Sequence, residues 1–135
     1  MSSDATDRPD RSSISRVVRD QDRLSTLDRY DILDTDPEPA FDRIARLAVH
    51  LFDAPMALVN FVTDERQWFK SAVGVDEKET GLDVAFCVYT VEKGDVLAVE
   101  NLAEDDRFAD NPYVTEHGLR FYAGAPLTAP DGERL

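Results

Sequence analysis

The sequence predicts an α+β fold in which helices flank a mainly antiparallel sheet. Residues 56–73, MALVNFVTDERQWFKSAV, contain two apolar runs separated by a polar turn, the pattern of a β-hairpin. Residues 35–52 repeat apolar side chains at helical spacing, and a further helix is predicted near residues 84–91. Because the helices lie outside the hairpin strands, strands and helices are segregated along the chain, which favours an α+β arrangement.

The N-terminal part divides into a tail and a helix. Residues 1–15 are polar, and we expect a disordered tail there. Residues 16–34 are predicted to form one helix for signalling or dimerisation, because its apolar residues are spaced as on a helix-pairing seam. Two heptads are equally compatible with an amphipathic helix that lies on its own domain, residues 35–135.

The segment TDPEPAFDRIARLAVHLF at residues 35–52 gives the clearest helix. Thr35 and Glu38 predict a capping box, and Pro37 suits a first turn, where its missing N–H has no helical acceptor. We expect one apolar face to be buried, formed by Phe41, Ile44, Ala45, Ala48, Leu51 and Phe52. The helix is predicted to end near Asp53.

The middle of the chain continues the pattern of strands and helices. Residues 56–62 are almost continuously apolar, which predicts a strand covered on both faces. After the hairpin, VDEKETGLD is predicted to be a polar connection, and VAFCVYTVEKGD a helix that stops at Lys93-Gly94. VLAVEN is predicted to be a short strand, and LAEDDRFADNPYVTEHG an irregular connection with single helical turns.

The last residues predict another hairpin. Residues 119–127 alternate as in a strand, and Pro130-Asp131-Gly132 is a strong turn signal because proline fixes its φ and glycine tolerates positive φ. Arg134-Leu135 would begin the returning strand.

Size and composition bound the class of protein. A chain of 135 residues suffices for one domain, and 42% hydrophobic residues suffice for a packed core. No apolar run approaches the roughly 20 residues of a membrane helix, and the N-terminus lacks the apolar region of a signal peptide. One cysteine excludes an intrachain disulfide. We therefore expect a cytoplasmic protein that does not bind membranes.

The charge is strongly acidic. Fifteen basic and 28 acidic residues give a net charge of −13. Such a chain repels phosphates, so direct nucleic-acid binding is not expected. Many short carboxylates are also typical of halophilic proteins, which keep their surfaces hydrated at high ionic strength; a simple acidic protein is the alternative.

Several stretches together resemble a known family. In order along the chain, the stretches are LDRYDILDTDPEPAFDRIARLA, ALVNFVTDERQWFKSAVG, DVAFCVYTV, DDRFADNPYV and RFYAGAPL. They resemble the GAF domain, related to PAS domains, of the type that senses signals in histidine kinases, cyclic-dinucleotide enzymes and transcriptional regulators. The resemblance covers residues 24–135. It implies that a last interior strand and a closing helix are missing here, so we expect an incomplete domain or one completed by a neighbour's strand.

The resemblance also implies a ligand cavity between the sheet and the layer that covers it. Its wall would draw on six residues: Trp68, Phe86, Cys87, Tyr89, Arg120 and Tyr122. Aromatic side chains with a few polar groups suit a small organic ligand. The alternative is that the aromatic residues simply form the core. Ala85 and Tyr89 replace Ser and His of the common family stretch SFCAHA, so ligand and cofactor stay unassigned.

Catalytic and metal chemistry find little support in the sequence. Cys87 lies in an apolar stretch without an evident activating base, so an inert thiol is expected. Methionine-sulfoxide-reducing GAF proteins use several cysteines, which makes that enzyme class a distant alternative. Cys87 is followed by Val88 rather than the histidine of bilin-attaching members. The histidines are predicted to face solvent, and no metal site is expected.

The function that follows is sensory. The resemblance implies a non-catalytic module that binds an unknown small molecule in a signal-transduction protein. The attached output would be a histidine kinase of a two-component system or a transcriptional regulator. A homodimer is expected, with the helix at residues 16–34 as lever or dimer contact. The alternative is a dimerisation or interaction module that binds no ligand.

Overall fold

The structure, a computed structural model, describes residues 16–135 and has an α+β architecture, as predicted. The predicted disordered tail, residues 1–15, lies outside the described residues. The helices of at least four residues are α1 (Gln21–Tyr30), α2 (Pro39–Phe52), α3 (Cys87–Lys93) and α4 (Pro112–Thr115). The strands are β1 (Ala57–Val62), β2 (Arg66–Val73), β3 (Glu79–Gly81), β4 (Leu97–Val99) and β5 (Tyr122–Gly124). None of the helices in this part of the chain is long and apolar enough to cross a membrane.

The helix predicted for residues 16–34 is divided. Residues 16–18 are helical, and α1 begins after Asp20, whose carboxylate accepts hydrogen bonds from the backbone N–H groups of Asp22 (2.9 Å) and Arg23 (3.3 Å). Aspartate is a preferred N-cap because its carboxylate satisfies free N–H groups of the first turn. The helix ends at Asp31, which adopts the left-handed conformation (φ 51°). The spacing of the apolar residues, which predicted one continuous helix, gave no sign of this break.

The capping box predicted for the second helix is wrong. The N-cap of α2 is Glu38, which makes no capping hydrogen bond with its side chain, and Pro39 rather than Pro37 lies in the first turn. The hydroxyl of Thr35 instead donates to the carbonyl of Ile32 (2.5 Å) and accepts from Lys70 Nζ (2.7 Å). A tertiary contact with the sheet thus replaces the local one.

The predicted buried face of α2 is only partly buried. Ala45 is 1% exposed, whereas four large apolar side chains are more than half exposed: Ile44, Leu47, Leu51 and Phe52. The helix packs on β1 and β2 through one edge of its apolar face. The expectation that Ile44, Leu51 and Phe52 lie in the core is therefore wrong for the described part of the chain.

The first sheet has the order β1-β2-β3, with both pairs antiparallel. The predicted hairpin is confirmed, and a β-bulge interrupts it at Val59/Asn60. At the bulge, Lys70 of β2 has no residue opposite it in β1. Its buried ammonium contacts the segment before α2 through Asp36 O (2.5 Å) and Glu38 (2.6 Å). Strand β3 was missed, because its three residues lie in a polar stretch.

The second sheet is the antiparallel pair of β4 and β5. The predicted strand at residues 119–127 is shorter than expected, since only Tyr122–Gly124 is regular strand. The predicted turn at Pro130-Asp131-Gly132 is confirmed: Gly132 N–H donates to Ala129 O (2.8 Å), Gly132 has φ 91°, and Thr128 pairs with Arg134. We call residues 127–135 the 127–135 hairpin.

Leu135 lies between the two sheets. Its N–H donates to Leu127 O (2.8 Å), and its main-chain oxygen accepts from Val62 N–H (2.9 Å) at the end of β1. Among the described residues, β2 is the strand that pairs with β1, and Val62 at the end of β1 also bonds to Leu135.

The core of the described residues consists of three clusters, two of which lie on opposite faces of the first sheet. One cluster joins Val62 to α3 through Val88 and also contains Val18 from the N-terminal segment. A second cluster lies under α1 and contains Leu27, Phe61, Trp68, Ala129 and Leu135. A third surrounds Phe108 and packs against the aromatic residues next to α3. Helix α3 therefore stands between two clusters, where the candidate site forms.

Candidate functional site

Five polar side chains from four elements converge beneath α3. We call them the α3 polar cluster: Asn60, Gln67, Cys87, Thr90 and Tyr122. The sulfur of Cys87 accepts hydrogen bonds from Asn60 Nδ2 (3.3 Å) and from the Tyr122 hydroxyl (3.4 Å). The Tyr122 and Thr90 hydroxyl oxygens are 2.7 Å apart and hydrogen-bonded. Side chains of β1, β2, β5 and α3 thus meet at one place.

Gln67 fixes the start of α3. Its side-chain oxygen accepts from the backbone N–H of Cys87 (3.3 Å), and its amide nitrogen donates to Thr80 of β3 (3.4 Å). Gln67 is only 4% exposed. Since the first N–H groups of a helix have no acceptor within it, this side chain satisfies one of them and ties α3 to the sheet.

An aromatic shell surrounds the polar cluster. The ring of Phe86 lies 5.2 Å from Phe108 and 5.5 Å from Tyr122, measured between centroids, and Tyr89 lies 5.0 Å from Phe108. Two of these contacts are edge-to-face, an arrangement that the aromatic quadrupole favours. Phe108, 1% exposed, is the central ring. The shell packs against one side of the cluster.

The α3 polar cluster is uncharged. Burial raises the pKa of the Cys87 thiol, and this effect outweighs the lowering by hydrogen bonds from Tyr122 and Asn60. Burial also raises the pKa of Tyr122. Arg107, beside the aromatic shell, stacks on Phe108 and binds the carboxylate of Asp105 in a bidentate pair (2.9 and 2.7 Å). The thiol therefore stays protonated near neutral pH and is a poor nucleophile.

The buried polar atoms of this site already have hydrogen-bond partners. Among residues 16–135, each buried side-chain nitrogen or oxygen has a hydrogen-bond partner. A molecule that entered the α3 polar cluster would have to replace bonds that Thr90, Tyr122 and Asn60 now make with one another and with Cys87. The described residues contain no grouping of His, Cys, Asp and Glu suited to a metal ion.

A shallow surface depression lies elsewhere, between α1 and the turn of the 127–135 hairpin. Its lining consists of Thr26, Arg29, Tyr30, Ala129, Pro130 and Asp131. It is open to solvent and does not involve the α3 polar cluster.

The structure brings together four of the six residues predicted for a ligand site: Phe86, Cys87, Tyr89 and Tyr122. Trp68 lies on the opposite face of the sheet, in the cluster under α1. The side chain of Arg120 donates to the carbonyls of Val114 (3.0 Å) and Leu119 (2.9 Å) and is directed to its own loop.

Sequence reasoning missed three polar members of the site and its central ring. Asn60 is an amide side chain within an otherwise apolar strand, Gln67 is a buried amide in the mixed strand β2, and Thr90 lies on the buried face of α3. A polar residue inside an apolar strand needs a partner, so this interruption of ALVNFV was the available signal. Phe108 lies in DDRFADNPYV, a connection with too little regular structure to predict its burial.

Comparison with known proteins identifies the family. A family model of the GAF domain matches residues 36–135. The chain belongs to the GAF domain family. GAF domains are sensory and signalling modules and are generally regulatory rather than catalytic. The family match confirms the resemblance and the predicted fold class.

One characterised relative indicates the context in which such a GAF domain occurs. The chain is 36% identical, over 114 residues, to a cyclic di-GMP phosphodiesterase of Pseudomonas aeruginosa. The match covers 84% of this chain and 19% of the relative. The chain therefore spans about a fifth of that relative's length.

Proposed function

We propose that this GAF domain is a non-catalytic sensor that binds a small, uncharged organic molecule beneath α3. The observation that supports the proposal is the convergence of five neutral polar side chains inside an aromatic shell. Aromatic surface supplies contact area, and a few hydroxyl and amide groups supply orientation, which is the usual composition of a ligand site. An anionic ligand finds no cation in the α3 polar cluster and would also meet the net charge of −13.

The proposed signal is a shift of α3. A ligand that takes over hydrogen bonds of Tyr122 and Thr90 changes the contacts that hold α3 against β5. Val88, on the opposite side of α3, packs in one cluster with Val18 of the N-terminal segment. A ligand that favours one position of α3 therefore favours one position of that segment. The signal depends on the difference between the ligand's affinities for the two positions of α3.

We propose that the output is an attached region, and the similarity to a cyclic di-GMP phosphodiesterase favours an enzyme of cyclic di-GMP turnover. A histidine kinase and a transcriptional regulator are the other output classes that the sequence indicates. We further propose that the domain forms a homodimer, with residues 16–34 as the lever or contact.

Native mass spectrometry of the purified protein tests the ligand. We expect a bound species that adds mass under native conditions and is lost on denaturation. A Tyr122→Phe variant removes the hydroxyl that bonds to Thr90 and should reduce occupancy. The matched control is Tyr113→Phe, since the Tyr113 ring lies 6.3 Å from Phe86 but is not part of the α3 polar cluster. Equal occupancy in both variants would place the ligand elsewhere, and an unliganded wild type would contradict the proposal.

A dimerisation module without a ligand is the second candidate. It is favoured by the hydrogen bonds that the α3 polar cluster already makes among the described residues and by the exposed apolar side chains of α2. Analytical ultracentrifugation separates the two: this candidate requires a dimer whose stability does not depend on any co-purified molecule.

A further inference from the structure

The guanidinium of Arg23 is buried where the chain crosses the end of the sheet. Val18 packs in the cluster with α3, and Leu27 packs in the cluster under α1, so the residues between them pass from one face to the other. Arg23 lies within this crossing and is only 2% exposed. A charged side chain in this position needs strong hydrogen bonds to offset its desolvation.

The acceptors of Arg23 are main-chain carbonyls from two distant parts of the chain. Nε donates to Val17 O (3.1 Å), and Nη2 donates to Val18 O (3.1 Å). Nη1 donates to Arg134 O (3.3 Å), 111 residues away in sequence. One planar group thus joins the N-terminal segment to the 127–135 hairpin.

A second link supports the first from the surface. The hydroxyl of Thr26 donates to the Asp131 carboxylate (2.7 Å), which also pairs with Arg29 (3.1 Å). Both residues follow Arg23 in α1, and Asp131 lies at the turn of the 127–135 hairpin. The hairpin is therefore attached to α1 at its turn and, through Arg134, next to the residue that lies between the two sheets.

We propose that Arg23 is a positioning residue that couples the N-terminal segment and α1 to the 127–135 hairpin, and thereby to the main-chain bonds of Leu135 with both sheets. The inference rests on the proposed role of residues 16–34 as the lever of the sensor. Through the hydrogen bonds of Arg23, a shift of Val17 and Val18 would be transmitted to the sheet.

The hydrogen bonds that connect the two segments require an arginine side chain. The guanidinium is planar and presents several N–H donors in fixed directions, so it can hold three carbonyls from two segments at once. Lysine offers a single point of charge at the end of a flexible chain and cannot span both sides in the same way. Because hydrogen bonds to charged groups are stronger than neutral ones, loss of these bonds should loosen both segments measurably.

Amide hydrogen exchange followed by NMR tests the coupling in the purified protein with an Arg23→Gln variant. We expect exchange to accelerate about tenfold or more at Val62, Leu135 and the 127–135 hairpin, because an amide that loses about 1.4 kcal/mol of protection exchanges ten times faster. Exchange in α2 and in the β1–β2 bonds distant from Val62 should change much less. An equal acceleration throughout would show a purely structural role and overturn the proposal, as would no change at the hairpin.

Two further variants complete the experiment. Arg120→Gln is the matched control, because Arg120 also binds two main-chain carbonyls but within its own loop, so its effect should stay near residues 114–120. Asp131→Asn weakens the surface link on an exposed residue and should loosen α1 and the hairpin together by a smaller factor. If Asp131→Asn loosens the hairpin alone, the proposed coupling is contradicted. None of these measurements involves a ligand. The coupling proposal can therefore be wrong while the ligand proposal is right, and the ligand proposal can be wrong while the coupling proposal is right.

Discussion

The hydroxyl pair of Tyr122 and Thr90 allows a quantitative test of how the α3 polar cluster is held together. Thr90 is 3% exposed, and its oxygen lies 2.7 Å from the Tyr122 hydroxyl. Tyr122→Phe leaves the Thr90 hydroxyl without this partner, and Thr90→Val leaves the Tyr122 hydroxyl with only the weak sulfur acceptor of Cys87 (3.4 Å). A buried hydroxyl left unsatisfied costs about 1–3 kcal/mol, so each single variant should lose about 1–2 kcal/mol of unfolding free energy.

The double variant carries the sharper expectation. Replacing both partners by apolar groups of similar shape removes the unsatisfied group, so the double variant should be about as stable as the less stable single variant. The coupling energy between Tyr122 and Thr90 should then be about 1 kcal/mol or more. Urea unfolding followed by the fluorescence of Trp68, the one tryptophan, provides the assay. Additive losses, within about 0.5 kcal/mol, would refute the view that these hydroxyls depend on each other.

Three further predictions concern charge and the thiol. If the acidic surface is a salt adaptation, unfolding free energy should rise markedly between about 0.1 M and 1 M NaCl, where the screening length falls from about 10 to 3 Å, and insensitivity to salt would end that interpretation. The hydrogen bond from Thr26 lowers the pKa of Asp131, so this carboxylate should stabilise the fold above the unfolded pKa of about 3.9 and lose that effect as pH falls through the folded value; melting temperatures between about pH 5 and pH 2 should therefore fall less in Asp131→Asn than in wild type. Cys87, whose thiol pKa is raised by desolvation, should resist iodoacetamide near pH 8 until urea unfolds the chain, and rapid alkylation of the native protein would contradict the inert thiol.

The elements that the sequence predicts well are those fixed by local chemistry. Helix α3 stops at Gly94 because glycine adopts the left-handed conformation there (φ 73°), and Gly132 serves its turn for the same reason. The capping box failed because Lys70, from a distant strand, binds Thr35. Strand β3 was missed because pairing with β2, rather than its own residues, makes it a strand. Such contacts have no signature at short sequence separation.

The candidate site shows the same division. The sequence identifies the aromatic residues near α3 by type, but it does not tell which face of the sheet each side chain lies on. Gln67 and Trp68 are neighbours in β2, and side chains of successive strand residues point to opposite faces of a sheet. Gln67 therefore reaches α3 while Trp68 packs under α1. The resemblance named the tryptophan for the site, whereas the structure places the adjacent glutamine there.

The outer edge of β1 has a consequence for the behaviour of the protein at high concentration. Apart from Val62, whose N–H donates to Leu135, this edge of a largely apolar strand pairs with no strand of the described residues. Unpaired strand edges can act as templates that recruit strands from other molecules. We therefore expect this 135-residue chain to aggregate at high concentration by forming intermolecular β-structure.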